Sequence, residues 1–270
     1  MKLFHLSFTL RALTKAAPVL GALAFASTAS ATLLLDPAGG TVTSSISVGN
    51  SADDAAYAGQ YVFITPFFGS ALPPVNPTIS VNGHIYFGSG DGDGDWHVTP
   101  LGGSGKLRIA PMWADYQVGA TSRIIESASP AFDYYAVTWE NMVSTTHNGY
   151  FSTFQAIFFE NATTLHGITF NPGDIAFSYG DIGLYTQIGE VVAGLERGTS
   201  SATLPGYEGT DGNHSFLGTG AFPVGANQYV HFRPDLSGNY TVTIATIPEP
   251  SATAATLLGG LLLTARRRRR

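Results

Sequence analysis

From residue 61 onward the hydrophobic positions fall in short runs, cut every few residues by Gly, Pro, Asn or Asp. "FSTFQAIFFE" alternates, with Phe154, Ala156 and Phe158 set against Thr153 and Gln155. "SRIIES" and "YYAVTWE" are rich in β-branched and aromatic residues, and "LHGITFN", "DIAFSYG", "VVAGLE", "NQYVHFRP" and "NYTVTIATI" continue the series. Each reads as a strand. "TISVNGHIYFG" holds two runs around Asn82-Gly83, a hairpin signal, because Asn and Gly accept the left-handed backbone of a tight turn. Residues 41–51, rich in Ser, Thr and Gly, read as a lead-in strand or loop. Apart from the two ends, no long stretch repeats with the helical period. The pattern predicts an all-β, single-domain protein of sandwich-like architecture.

The ends differ from this middle. Lys2, Arg11 and Lys15 precede an uncharged, mostly apolar stretch at 16–26, and Ala29-Ser30-Ala31 follows as a small-x-small site. That order predicts a signal peptide over 1–31, cleaved after Ala31. At the other end stand Pro248-Glu249-Pro250, fifteen uncharged residues (251–265) and five arginines, among them Arg266, Arg267 and Arg268. As a helix the fifteen residues reach about 22 Å, short of the ~30 Å hydrocarbon core. Snorkelling arginines and local thinning would let it span, with the arginines on the cytoplasmic side. The other reading of 251–270 is an amphipathic or core helix with a basic tail. The predicted organisation is 1–31 signal peptide, 32–50 lead-in, 51–246 β domain, and 247–270 sorting or anchor segment.

Removing both ends changes the charge. The remaining core holds five basic residues against eighteen acidic ones, a net of −13, where the whole chain carries −6. Nucleic-acid binding needs a basic footprint, so it is excluded as a function class. There is no cysteine, hence no disulfide, thiolate metal site or cysteine nucleophile. Glycine, 32 of 270 residues, is well above the usual ~7% and fits many tight turns.

Candidate chemistry is sparse. In "GSGDGDGDWHVTP", Asp91, Asp93 and Asp95 occupy positions 1, 3 and 5 of a Gly-rich loop, an arrangement that can offer oxygen ligands to Ca²⁺. The twelfth position is Gly102 rather than Glu, so this is no EF-hand, and a solvated turn is the plain alternative. In "PMWADYQ", Trp113, Asp115 and Tyr116 could grip a sugar by stacking and hydrogen bonding; the alternative puts Trp113, like Trp139, in the core. The seven histidines have no metal-ligand spacing, and there is no G-x-S-x-G elbow or P-loop. An enzyme is therefore not expected, a secreted hydrolase being the least supported alternative.

Two resemblances add to this reading. The Pro-Glu-Pro, apolar stretch and arginine cluster resemble the PEP-CTERM sorting signal of exported bacterial proteins. The resemblance implies recognition by an exosortase, a membrane transpeptidase, with transient anchoring in the inner membrane and delivery to the cell surface or extracellular polymer. Within the core, "YVFITPFFG", "ISVNGHIYFG", "RIAPMWADYQ", "YYAVTWENM", "FSTFQAIFFEN", "DIAFSYGDI" and "VVAGLERG" occur in the order of similar segments in the nidogen-like (NIDO) domain, over residues 51–212. That resemblance implies an extracellular adhesion or matrix role, with exopolysaccharide or matrix proteins as partners. A calcium-assisted carbohydrate-binding module is the alternative function.

Overall fold

The computed structural model describes residues 32–37, 41–46, 53–60, 64–72, 75–88, 101–102, 106–145, 149–183, 191–204, 224 and 227–248. The readings placed on Ala29, Ala31, Asp91, Asp93, Asp95, Glu249, Pro250 and Arg266–Arg268 lie outside these residues.

The described residues are all β, with no helix among them. Seven strands form one antiparallel sheet in the order β1 (Thr41–Ile46), β7 (Arg123–Ala128), β8 (Tyr134–Ser144), β9 (Phe151–Phe159), β12 (Ile175–Ile182), β15 (Gln228–Pro234), β16 (Tyr240–Thr246); an eighth, β6 (Tyr116–Gln117), pairs with β8. The second sheet has six strands, in the order β14 (Ser200–Thr203), β13 (Val192–Arg197), β5 (Leu107–Trp113), β4 (Ile85–Tyr86), β3 (Thr78–Ser80), β2 (Ala56–Ala58). The pair β10 (Thr163–Leu165) and β11 (Ile168–Phe170) makes a separate hairpin.

The two sheets share one core. Ile79, Ile85, Ile109, Met112 and Leu195 from the smaller sheet meet Val137, Trp139, Phe154, Phe177 and Phe232 from the larger. Two aromatic polar tips cross between the layers. Trp139 Nε1–H donates to Ser80 O at 2.8 Å, and Tyr179 Oη–H donates to Pro111 O at 2.7 Å. A buried Trp or Tyr requires such a partner.

The outer face of the larger sheet is half covered. Leu34, Ile157, Phe159, Phe170, Tyr229 and Ile247 form a second apolar cluster on it. Leu34 N–H donates to Ser178 Oγ at 2.8 Å, and Gln155 Nε2–H donates to Leu35 O at 2.8 Å. The lead-in is thus built into the fold, and β1 extends the sheet beside β7. This second layer is why β9 is buried at Gln155, Ile157 and Phe159 as well as at Phe154, Ala156 and Phe158. The strand alternates in direction but not in burial.

Candidate functional site

The region around "PMWADYQ" is organised by Asn82. The Asn82-Gly83 turn closes β3 onto β4, with Ile79 paired to Ile85. Asn82 is fully buried. Its Oδ1 accepts from Tyr116 N–H at 2.8 Å, its carbonyl accepts from Ala114 N–H at 3.1 Å, and its Nδ2–H donates to Asp54 Oδ1 at 3.0 Å. The turn thereby holds the start of β6 and positions Asp54, whose φ of 51° lies in the left-handed region that Asp tolerates.

Trp113 and Tyr116 are both in the interior, at 0% and 1% exposure. Tyr116 packs against Phe154, ring centroids 5.7 Å apart, and burial pushes its hydroxyl pKa up. The Trp113 ring is a platform for Arg108, whose guanidinium carbon lies 4.0 Å from the ring centroid. His84 packs on the same ring at 4.8 Å. Both aromatic faces that a sugar would stack on are covered, so the core alternative describes them.

Asp115 has another set of neighbours. The carboxylates of Asp53, Asp54 and Asp115 lie within 4.8 Å of one another, Asp53 exposed and the other two half-buried. Burial first, and then the charges of Asp54 and Asp115, push the Asp53 carboxyl above the ordinary aspartate value. Three oxygen donors of this kind match the hard-cation chemistry sought in the Asp91–Asp95 loop. No spacing motif announces them, because Asp53-Asp54 and Asp115 come from distant segments. No family model matches the chain, and neither a curated protein nor a solved structure matches it.

The crowding has a measurable consequence. A raised folded-state pKa means the ionised form is disfavoured in the fold, a penalty that appears as pH rises through the ordinary carboxylate range near ~4. Asp53→Asn should therefore raise Tm at pH 7 by about 1 °C, an exposed like-charge pair costing a few tenths of a kcal/mol. The gain should fade as pH falls through the ordinary aspartate value and be gone about a unit below it, where wild-type Asp53 is protonated in both states. A gain that persists at low pH would show that the carboxylates do not repel. In wild type, millimolar Ca²⁺ raising Tm, with the rise lost in Asp53→Asn, would identify a bound cation as the counter-charge.

A second charged group lies on the outer face of the smaller sheet. Arg108 of β5 and Glu196 of β13 are directly opposite in register. Their side chains are 1% and 0% exposed, with Nη1 to Oε2 at 3.7 Å. Gly102 N–H donates to Glu196 Oε1 at 3.0 Å, and Leu101, Ala110 and Val192 cluster with Trp113 in apolar contact. Burial, then the charges of Arg108 and Lys106, hold the His84 imidazole well below its usual pKa, so it is neutral. The group is sealed and structural. It presents no reactive atom to a substrate.

Proposed function

We propose that the protein is a non-enzymatic, exported protein of the cell surface or extracellular matrix, sorted by an exosortase through Pro248-Glu249-Pro250. The 251–265 stretch would act as a transient inner-membrane anchor. The all-β domain, nidogen-like in the order of its motifs, would be the displayed part, acting in adhesion or exopolysaccharide association. The order of features along the chain carries this reading: export-type head, β domain, Pro-Glu-Pro, apolar stretch, arginines.

The end of the domain is consistent with that order. Ile247 is 1% exposed in the outer-face cluster, and its N–H donates to Asn227 O at 2.7 Å. Pro248, the next residue, is exposed. The first residue of the tripeptide is thus exposed directly after the buried Ile247.

The test is the C-terminal peptide mass of the protein from a host with its own export and exosortase machinery, with cell fractionation alongside. The expected result is a new end near Pro250 in surface or medium fractions, lost in Glu249→Ala. An intact Arg270 in the inner-membrane fraction would make the segment a resident anchor and sink the sorting reading.

A further inference from the structure

The uncovered half of the larger sheet's outer face carries a built concavity. On one side of β9, Trp139 pairs with Phe154 and Met142 with Ser152, so Glu140 and Asn141 together oppose the single residue Thr153. On the other side, Tyr179 pairs with Phe154 and Ile182 with Ser152, so Gly180 and Asp181 also oppose Thr153. Both neighbours of β9 therefore bulge at the same level. Bulges re-aim side chains, and they concentrate beside functional sites.

Here the bulges form an open cleft of about 630 Å³ whose lining includes Thr121, Asn141, Tyr150, Phe151, Thr153 and Asp181. Its geometry is pinned. Asn141, at φ 54°, donates its N–H to Thr153 Oγ1 at 3.1 Å and an Nδ2–H to Thr121 O at 3.4 Å. Gly183 N–H donates to Phe151 O at 2.8 Å. A Cβ at Gly183 would lie 2.6 Å from that oxygen, so only glycine brings β12 this close. Tyr150 and Phe151, adjacent in the chain, are 42% and 44% exposed and put two aromatic rings on this surface.

We propose that this cleft is a glycan-binding site for neutral hexose or N-acetylhexosamine polymers. The class follows from the lining. Aromatic faces accept the C–H faces of pyranose rings, while a carboxylate, an amide and hydroxyls accept from and donate to ring hydroxyls. Among the described residues, none that lines the cleft is cationic. Arg123, two residues from Thr121, is engaged by Glu140. Asp181 and the acidic core disfavour uronate or phosphate polymers. The volume suits a few sugar rings, within the ~300–1,000 Å³ range of small-molecule sites. The proposal rests on the matrix reading above, since it names the polymer chemistry that a displayed domain would hold.

The test is calorimetric titration of the full-length protein, kept in a zwitterionic, sugar-free detergent, with cellohexaose, maltohexaose, chitohexaose and polygalacturonate. Binding of at least one neutral oligomer is expected, weakened tenfold or more by Phe151→Ala and by Asp181→Ala. Thr121→Val serves as a third variant, and Phe132→Ala, an exposed aromatic elsewhere, should change nothing. Unchanged Tm values would separate lost contacts from lost folding. Silence toward all three neutral oligomers, tighter binding of polygalacturonate, or binding that survives all three cleft substitutions would each overturn the proposal. The outcome is independent of tail processing. A sorted protein with a silent cleft removes only this inference, and a binding protein with an uncut tail removes only the sorting reading.

Discussion

Glu196→Leu is expected to cost about 3–5 kcal/mol, the usual consequence of removing one member of a buried ion pair. For a domain of this size that is a fall in Tm of roughly 6–20 °C. Arg108 would then sit 1% exposed without its opposing carboxylate, on the Trp113 ring, beside a histidine held neutral by burial first and by positive charge second. Gly102 N–H would also lose its acceptor. The separation of 3.7 Å is long for a charge-assisted hydrogen bond, so the pair itself contributes less than its rupture costs. The double change Arg108→Met with Glu196→Leu should therefore recover most of the loss, because no uncompensated charge remains and well-packed apolar pairs of similar volume are often as stable. Chemical denaturation of the two single variants and the double variant measures both statements. A Glu196→Leu protein within ~1 kcal/mol of wild type would mean that water reaches the pair.

The same buried charges mark the boundary of what the sequence makes legible. Strands β7, β8, β9, β12, β15 and β16 stand out because β-branched and aromatic residues cluster in them, and the Asn82-Gly83 hairpin announces itself through turn chemistry. β5 does not, because Pro111 interrupts "LRIAPMW". The structure places this proline where β5 carries an extra residue opposite Ala193, and a bulge is where a strand accommodates proline. Strands of two to four residues, β2, β6 and β14, are too short to generate a period. Gln155 looks like a solvent position, yet it is buried by the lead-in, a contact across 120 residues that no local pattern encodes. Arg108 and Glu196 look like surface charges for the same reason. The acidic triad and the cleft are assembled by tertiary approach and by paired bulges. The aromatic–acidic cluster at Trp113 was visible as a motif, but composition could not decide which side of the sheet its rings face.

The second large effect concerns Gly83. Gly83→Ala is expected to destabilise the protein by more than about 3 kcal/mol, from two independent sources. The residue sits at φ 80°, where a side chain costs roughly 1–2 kcal/mol. A Cβ there would also lie 2.1 Å from Met112 O and 2.9 Å from Phe154 Cζ. The first of these is backbone and cannot rotate away, so the hairpin itself must lift from β5. Lifting it breaks the contacts that Asn82 organises, the bonds to Ala114 N–H and Tyr116 N–H among them, each worth about 1 kcal/mol. It also shifts Ser80 O, the acceptor for Trp139 Nε1–H between the sheets. Asn82→Ala separates the two contributions. It keeps the backbone free but leaves the buried Tyr116 N–H unpaired, and should cost about 1–3 kcal/mol. Equilibrium unfolding should rank the variants Gly83→Ala below Asn82→Ala below wild type. If Gly83→Ala matched wild type, the turn would not be seated against Met112, and the two-sheet packing around Trp139 would need another anchor.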